Sequence, residues 1–191
     1  PDTRDLPELP NGWVWASVEQ LASDERYSLS IGPFGSNLKV SDYRDTGVPL
    51  VFVRNIRSGN YGGAYTKYVT PEKAKELVAH SASAGDVLIT KMGEPPGDAD
   101  VYPDNQPLAI ITADCIKVRC WNGLMRPDFL KSVINSHIGQ QQIEPMTQGV
   151  AQKKVSLGRF TCLADPIPSM EEQQQIMAMV SDANAESAAQ E

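Results

Sequence analysis

Two short stretches carry the side chains best suited to recognising another molecule. Arg54-Asn55-Ile56-Arg57 places two guanidiniums and one carboxamide within four residues. Those groups have the donor and acceptor geometry of partners for guanine and adenine edges. Farther on, the segment 146–156 combines Thr147, Gln148 and Gln152 with the pair Lys153-Lys154 around Gly149. One loop of that make-up can hydrogen-bond bases and neutralise phosphates together. Lys39 and Lys67 add positive charge, the first after a tight turn, the second beside a Gly- and Tyr-rich loop. Each stretch also has a plain reading, as a strand with a solvated end and as a solvated loop.

Catalytic constellations fare worse. Pro103-Asp104 followed by Asp114 and Lys117 comes near a metal-dependent nuclease signature. That chemistry needs a single residue between acid and lysine, so that both point to one face of a strand; here two intervene. Cys115 and Cys120 have no second pair to complete a zinc site, and His80 and His137 are isolated. Asp165-Pro166-Ile167-Pro168 has the order of an amino-methyltransferase motif but lacks its aromatic, and no glycine-rich cofactor loop precedes it. Neither phosphate-binding glycine spacing is present. The chain is expected to carry no catalytic residue, no metal and no cofactor of its own.

The elements that must hold the two stretches follow from turn and apolar patterns. Gly32-Pro33-Phe34-Gly35-Ser36 is a tight turn, and the run Val48–Val53 reads as a buried strand ending in Arg54–Arg57. Residues 58–68, SGNYGGAYTKY, form either a plain hairpin tip or a loop that probes a groove. Pro71 opens a short helix through Val78. Strands are expected at 87–90, 109–112 and 115–119, with 93–107 an irregular loop. A single helix should span 127–142, with Gly139 and the glutamines after it at a fraying end. Leu6 to Ala22 reads as a packing arm: Pro7 and Pro10 forbid helix, Trp13 and Trp15 close one side of the core, and Ser17 with Gln20 forms a capping box. A second capping box, Ser169 with Glu172, starts a tail helix whose stripe is Ile176, Met179, Val180 and Ala183. So narrow a stripe suits another helix rather than a broad core.

Composition bounds the class. A chain of 191 residues with 41% hydrophobic and 21% charged residues fits one globular domain. No apolar run approaches the ~20 residues that span a bilayer, so no membrane partner is expected. The polar N-terminus does not resemble a signal peptide, and three cysteines fit a reducing cytoplasm. The net charge of −7 counts against a nucleic-acid partner until its distribution is considered. Residues 1–25 hold six acids and one base, and residues 161–191 six acids and no base. The body between them holds 16 bases against 12 acids. A mildly basic body is compatible with DNA.

Taken together, the segments resemble the target-recognition domain of a type I restriction–modification specificity subunit. The resemblance rests on the Gly32–Ser36 turn, the Gly47-Val-Pro-Leu50 strand start, the Val53-Arg-Asn-Ile56 close, Ala84-Gly-Asp-Val-Leu-Ile89 with Met92-Gly93, and Gln148–Ser156. Asp165–Pro168 and Glu172-Gln173 with Ile176 complete it, and it covers the chain from Leu9 to Ile176. It implies an α+β, strand-rich recognition domain over 1–168 and the start of a spacer helix over 169–191. Its implied role is non-catalytic: sequence-specific recognition of one half of a bipartite target in double-stranded DNA. The implied DNA contacts are Lys39, Arg54, Asn55, Arg57, Lys67, Gln148, Gln152, Lys153 and Lys154. The implied partners are a second recognition domain, methyltransferase subunits that use S-adenosylmethionine, and a restriction subunit that uses ATP and magnesium. The alternative is an interaction module that docks a partner through its tail helix and does not read DNA.

Overall fold

The computed structural model describes residues 1–189; the last two positions of the expected tail helix, 190 and 191, lie outside the described residues. In chain order the elements are β1 (Val14–Ser17), α1 (Val18–Leu21), β2 (Leu29–Ile31), β3 (Val48–Val51), α2 (Val53–Ser58), β4 (Tyr68–Val69), α3 (Pro71–Glu76), β5 (Ser81–Ala82) and β6 (Val87–Thr90). They continue with β7 (Ala99–Val101), β8 (Ala109–Ile111), β9 (Cys115–Val118), α4 (Pro127–Asn135), α5 (His137–Met146), α6 (Leu157–Phe160), β10 (Ala164–Ile167) and α7 (Met170–Ala188). The fold is mixed, 34% helix and 21% strand.

Two four-stranded sheets, in the orders β2-β9-β6-β7 and β4-β3-β8-β5, lie against each other. All pairings are antiparallel except β3 with β8. The central strands β6 and β9 are buried at every position, so neither alternates apolar with exposed polar residues; β6 is apolar up to Thr90, and β9 carries Lys117 within its run. Their side chains still divide by parity. Val87, Ile89, Ile116 and Val118 join the cluster beneath α1, α4 and α5. Leu88 and Cys115 join the cluster shared with Val51, Ala109 and Ile111 of the other sheet. Lys117, on that second face, is 1% exposed and donates Nζ to Ser81 O at 2.7 Å. Burial lowers its pKa, since the charged form loses water there.

The remaining strands, β1 and β10, pair with each other and bring the two acidic ends of the chain together. The arm is as expected in its capping box, with Ser17 Oγ accepting from Gln20 N at 3.3 Å. Trp13 and Trp15 are half-buried, and the Trp13 indole donates to Glu172 of α7 at 3.3 Å. No helix among the described residues is long and apolar enough to cross a membrane.

Four local expectations are corrected. The Val48–Val53 strand stops at Val51, and Val53–Ser58 is helical; Asn55 Oδ1 accepts from Phe52 N at 2.8 Å and starts the turn. The loop 93–107 contains β7, which exists because β6 offers it an edge. The helix 127–142 is two helices: Ser136 is extended and caps the second, its Oγ accepting from Gly139 N at 3.3 Å. Gly139 is no fraying end, because a Cβ there would sit 2.4 Å from the Val133 and Ile134 carbonyl oxygens. Finally α3 ends at Glu76, two residues short, with Thr70 as its cap.

Candidate nucleic-acid interface

The end of β6 is where the segment 148–154 and Arg57 come together. Beyond Thr90, Lys91 accepts through its carbonyl from Val155 N at 2.9 Å, and Gly93 N donates to Lys153 O at 3.2 Å. Those bonds fasten the segment 148–154, itself closed by Gln148 N to Lys154 O at 2.8 Å and Lys154 N to Gln148 O at 2.9 Å. Gly149 makes the reversal at φ +106°, where a Cβ would meet Gln152 O at 2.3 Å. The result is a small hairpin held by backbone bonds, with the side chains of Gln152, Lys153 and Lys154 exposed.

Arg57 approaches the same point from α2. A Cβ on Gly93 would fall 2.1 Å from Arg57 Nη2, so the guanidinium lies directly on the glycine. It donates Nε to Asp98 Oδ2 at 2.7 Å and Nη2 to Pro95 O at 2.9 Å. Arg57 is thus brought to the hairpin, but already paired.

The hairpin side chains divide between two clefts. Gln148, Gln152 and Lys154 line one of about 350 Å³ with Lys91, and no carboxylate lines it. Lys153 points into a neighbouring cleft of about 280 Å³, beside Pro95, Pro96, His137 and Glu144. Adjacent residues of an extended segment diverge in this way. With its carboxamide oxygen turned toward Arg159, Gln148 accepts from Nη1 at 3.1 Å and Nη2 at 2.7 Å. Its amide N–H groups then remain available to an acceptor. Neither lysine forms an ion pair among the described residues.

The other expected contacts lie on a separate groove. Arg54, Asn55 and Lys67 line a space of about 810 Å³ between α2 and the 60–67 loop. That loop joins a helix to a strand, so it is not the tip of a β-hairpin. Arg54 is exposed, stacks over Phe52 at 4.4 Å and donates to Tyr65 O at 3.1 Å. The Asn55 carboxamide is committed on both sides, its oxygen to Phe52 N and its Nδ2 to Asn60 O at 2.9 Å. Lys67 Nζ stands 3.4 Å from Asp45, both exposed, a pairing worth little in water. Lys39 precedes a short 3-10 turn, and only its backbone is engaged, N to Asp42 Oδ2 at 2.7 Å.

Sequence reasoning missed Lys91 and Arg159, which flank the hairpin. Neither sits in a polar cluster, so only the fold reveals them. The tail helix is seated by Gln173, which is fully buried and bonds Leu124 O at 2.9 Å, Pro168 O at 3.1 Å and Arg126 N at 2.8 Å. Ile176 and Met177 pack on the core cluster; Met179, Val180 and Ala183 do not, and every described residue from Ala178 onward is exposed. Among the other groups with chemistry, burial pushes the Cys115 and Cys120 thiols up to about 12. Asp165 is wholly buried with no hydrogen-bond partner for either oxygen among the described residues, and burial raises its pKa well above the usual carboxylate value.

The sequence matches no protein-family model and no curated protein. Solved structures do match. A chain from a type I restriction–modification system, studied for its complex assembly and conformational transition, superposes with TM-score 0.73 at 16% identity, over 97% of this chain and 42% of its own. The HsdS subunit of Thermoanaerobacter tengcongensis gives 0.66 at 20% identity, over 96% of this chain and 40% of that one. The type I restriction–modification S subunit of M. genitalium gives 0.58 at 14% identity, over 96% and 43%. This chain therefore has the fold of the specificity subunits of type I restriction–modification systems, and it spans about two fifths of the length of the chains it matches.

Proposed function

We propose that the chain is a non-catalytic target-recognition domain that reads one half of a bipartite DNA site for a type I restriction–modification complex. The observation that supports this best is the cleft at the end of β6, where amides and unpaired lysines converge with no carboxylate among the lining residues. Such a surface offers cations to phosphates and carboxamides to base edges at once. Lys153 and Lys154 act as positioners on the backbone, with Gln148, Gln152 and Arg54 as readers. Bond-making belongs to the partners: methyltransferase subunits with S-adenosylmethionine, and a restriction subunit with ATP and magnesium. The setting is the cytoplasm, with the DNA.

The exposed part of α7 serves assembly in this reading. Met179, Val180 and Ala183 meet a helix of a second recognition domain or of a methyltransferase subunit, while Gln173 and Ile176 anchor the root. Met179→Glu should block assembly without unfolding the domain, because Met179 is 71% exposed in it. Normal assembly of that variant would remove the tail as the docking element.

Salt titration of duplex binding tests the main claim. Phosphate contacts make log K fall steeply with log salt, at about 0.9 per contact. Binding that ignores salt would favour the interaction module that docks only through its helix.

A further inference from the structure

The turn Gly32–Ser36 leaves Phe34 66% exposed, although no core needs an aromatic there. The turn itself is firmly held. A Cβ on Gly32 would fall 1.8 Å from Thr112 O, so the backbone presses against the end of β8. Gly32 N donates to Cys115 O at 3.1 Å, and Asn37 N closes the turn onto Phe34 O at 2.8 Å. Phe34 is thus displayed from a rigid base.

Lys91 stands next to it, Nζ 5.8 Å from the ring centroid. Its backbone is bonded on both sides, N to Asp114 O at 2.7 Å and O from Val155 N at 2.9 Å. It forms no ion pair among the described residues, not even with the neighbouring Asp114. Its side chain lines the cleft that Gln148, Gln152 and Lys154 also line. At the hairpin tip Val150 is 99% exposed. The cleft therefore has a basic, amide-bearing lining, with exposed Phe34 beside its Lys91 and exposed Val150 on the hairpin that borders it.

Building on the DNA-reading role above, we propose that Lys91 is a phosphate contact and Phe34 an apolar base contact, set against a thymine methyl. An ammonium over an exposed ring is weakly held and free to turn to a phosphate. An aromatic fixed beside it then reaches the groove, where the thymine methyl is the one apolar mark on a base edge. The two residues would divide the work of positioning and specifying.

The test uses the 191-residue chain and two probes, a random-sequence duplex pool and the duplex that the unsubstituted chain enriches from it. Lys91→Ala should lower the salt slope by about one on both probes. Phe34→Ala should leave pool binding unchanged and reduce preference for the enriched duplex about tenfold. The change should be confined to one or two A·T positions, with Phe34→Leu intermediate. Unaltered melting of Phe34→Ala is expected from its exposure and excludes a folding cause. If the unsubstituted chain binds with a steep salt slope but Lys91→Ala keeps that slope, or Phe34→Ala keeps the preference, this inference falls alone. If the unsubstituted chain shows no salt-dependent duplex binding, the recognition reading falls first.

Discussion

The groove beside α2 and the hairpin after α5 contain the same kinds of side chain, yet the fold treats them in opposite ways. On α2, Asn55 is spent on two backbone groups, Arg57 on Asp98 and Pro95, and Arg54 on Tyr65 O. On the hairpin, backbone pairs with backbone, and the side chains of Gln152, Lys153 and Lys154 are left exposed. Where the main chain satisfies itself, polar side chains are free for a ligand; where it does not, they are drafted as caps and struts. Carboxamides and cations stand in both places. Vacancy is what differs.

The largest effect should come from collapsing the vacant side. Gly149→Ala forces a Cβ onto Gln152 O at a backbone angle unfavourable to alanine. The hairpin should open, Lys154 N should lose its hydrogen-exchange protection, and duplex binding should drop by about tenfold or more. A Gly149→Ala chain that binds normally would mean that the hairpin's shape is irrelevant, and the contrast with α2 would lose its functional meaning.

Next in size is the double change Lys153→Ala with Lys154→Ala. Each lost phosphate contact lowers the salt slope by about one. Because the two side chains enter different clefts, the pair also measures the width of the footprint. A fall of about two places both clefts on DNA, whereas a fall of about one confines DNA to the Lys154 side. No change in slope would take the hairpin out of the interface.

The same contrast explains what the sequence disclosed. Strands β6, β8 and β9 were legible because short runs of mostly apolar residues stand between turn signals, α3 because Pro71 stands at its first position, and α7 because Ser169 with Glu172 makes a capping box. The helical turn at α2 was not, since Val-Phe-Val-Arg favours a strand until the Asn55 side chain takes Phe52 N. Strand β7 depends on an edge supplied by β6, and Ala99-Asp-Val carries no such signal alone. The break at Ser136 hides inside an apolar period that runs through both helices. For the site, amides and cations were visible as types. Their vacancy depends on bonds between residues far apart in the sequence, 41 positions in the case of Arg57 and Asp98.

The smallest effect on recognition, and the sharpest test of the contrast, belongs to Asn55→Ala. It removes a bond to Phe52 N at 2.8 Å and one to Asn60 O at 2.9 Å. Two such bonds contribute about 1–3 kcal/mol to stability, and the helix start at Phe52 loses its cap. Melting temperature should therefore fall. The enriched duplex should stay the same, with affinity reduced only as far as Arg54 and the 60–67 loop shift. Arg54→Ala is the informative companion, since its exposed guanidinium retains donors beyond the one bond to Tyr65 O. That change should relax preference at a single base pair while leaving melting near normal. The opposite pattern would be decisive. A stable Asn55→Ala chain that loses a base preference would make the carboxamide a reader despite its two backbone bonds, and occupancy within the fold would no longer separate struts from contacts.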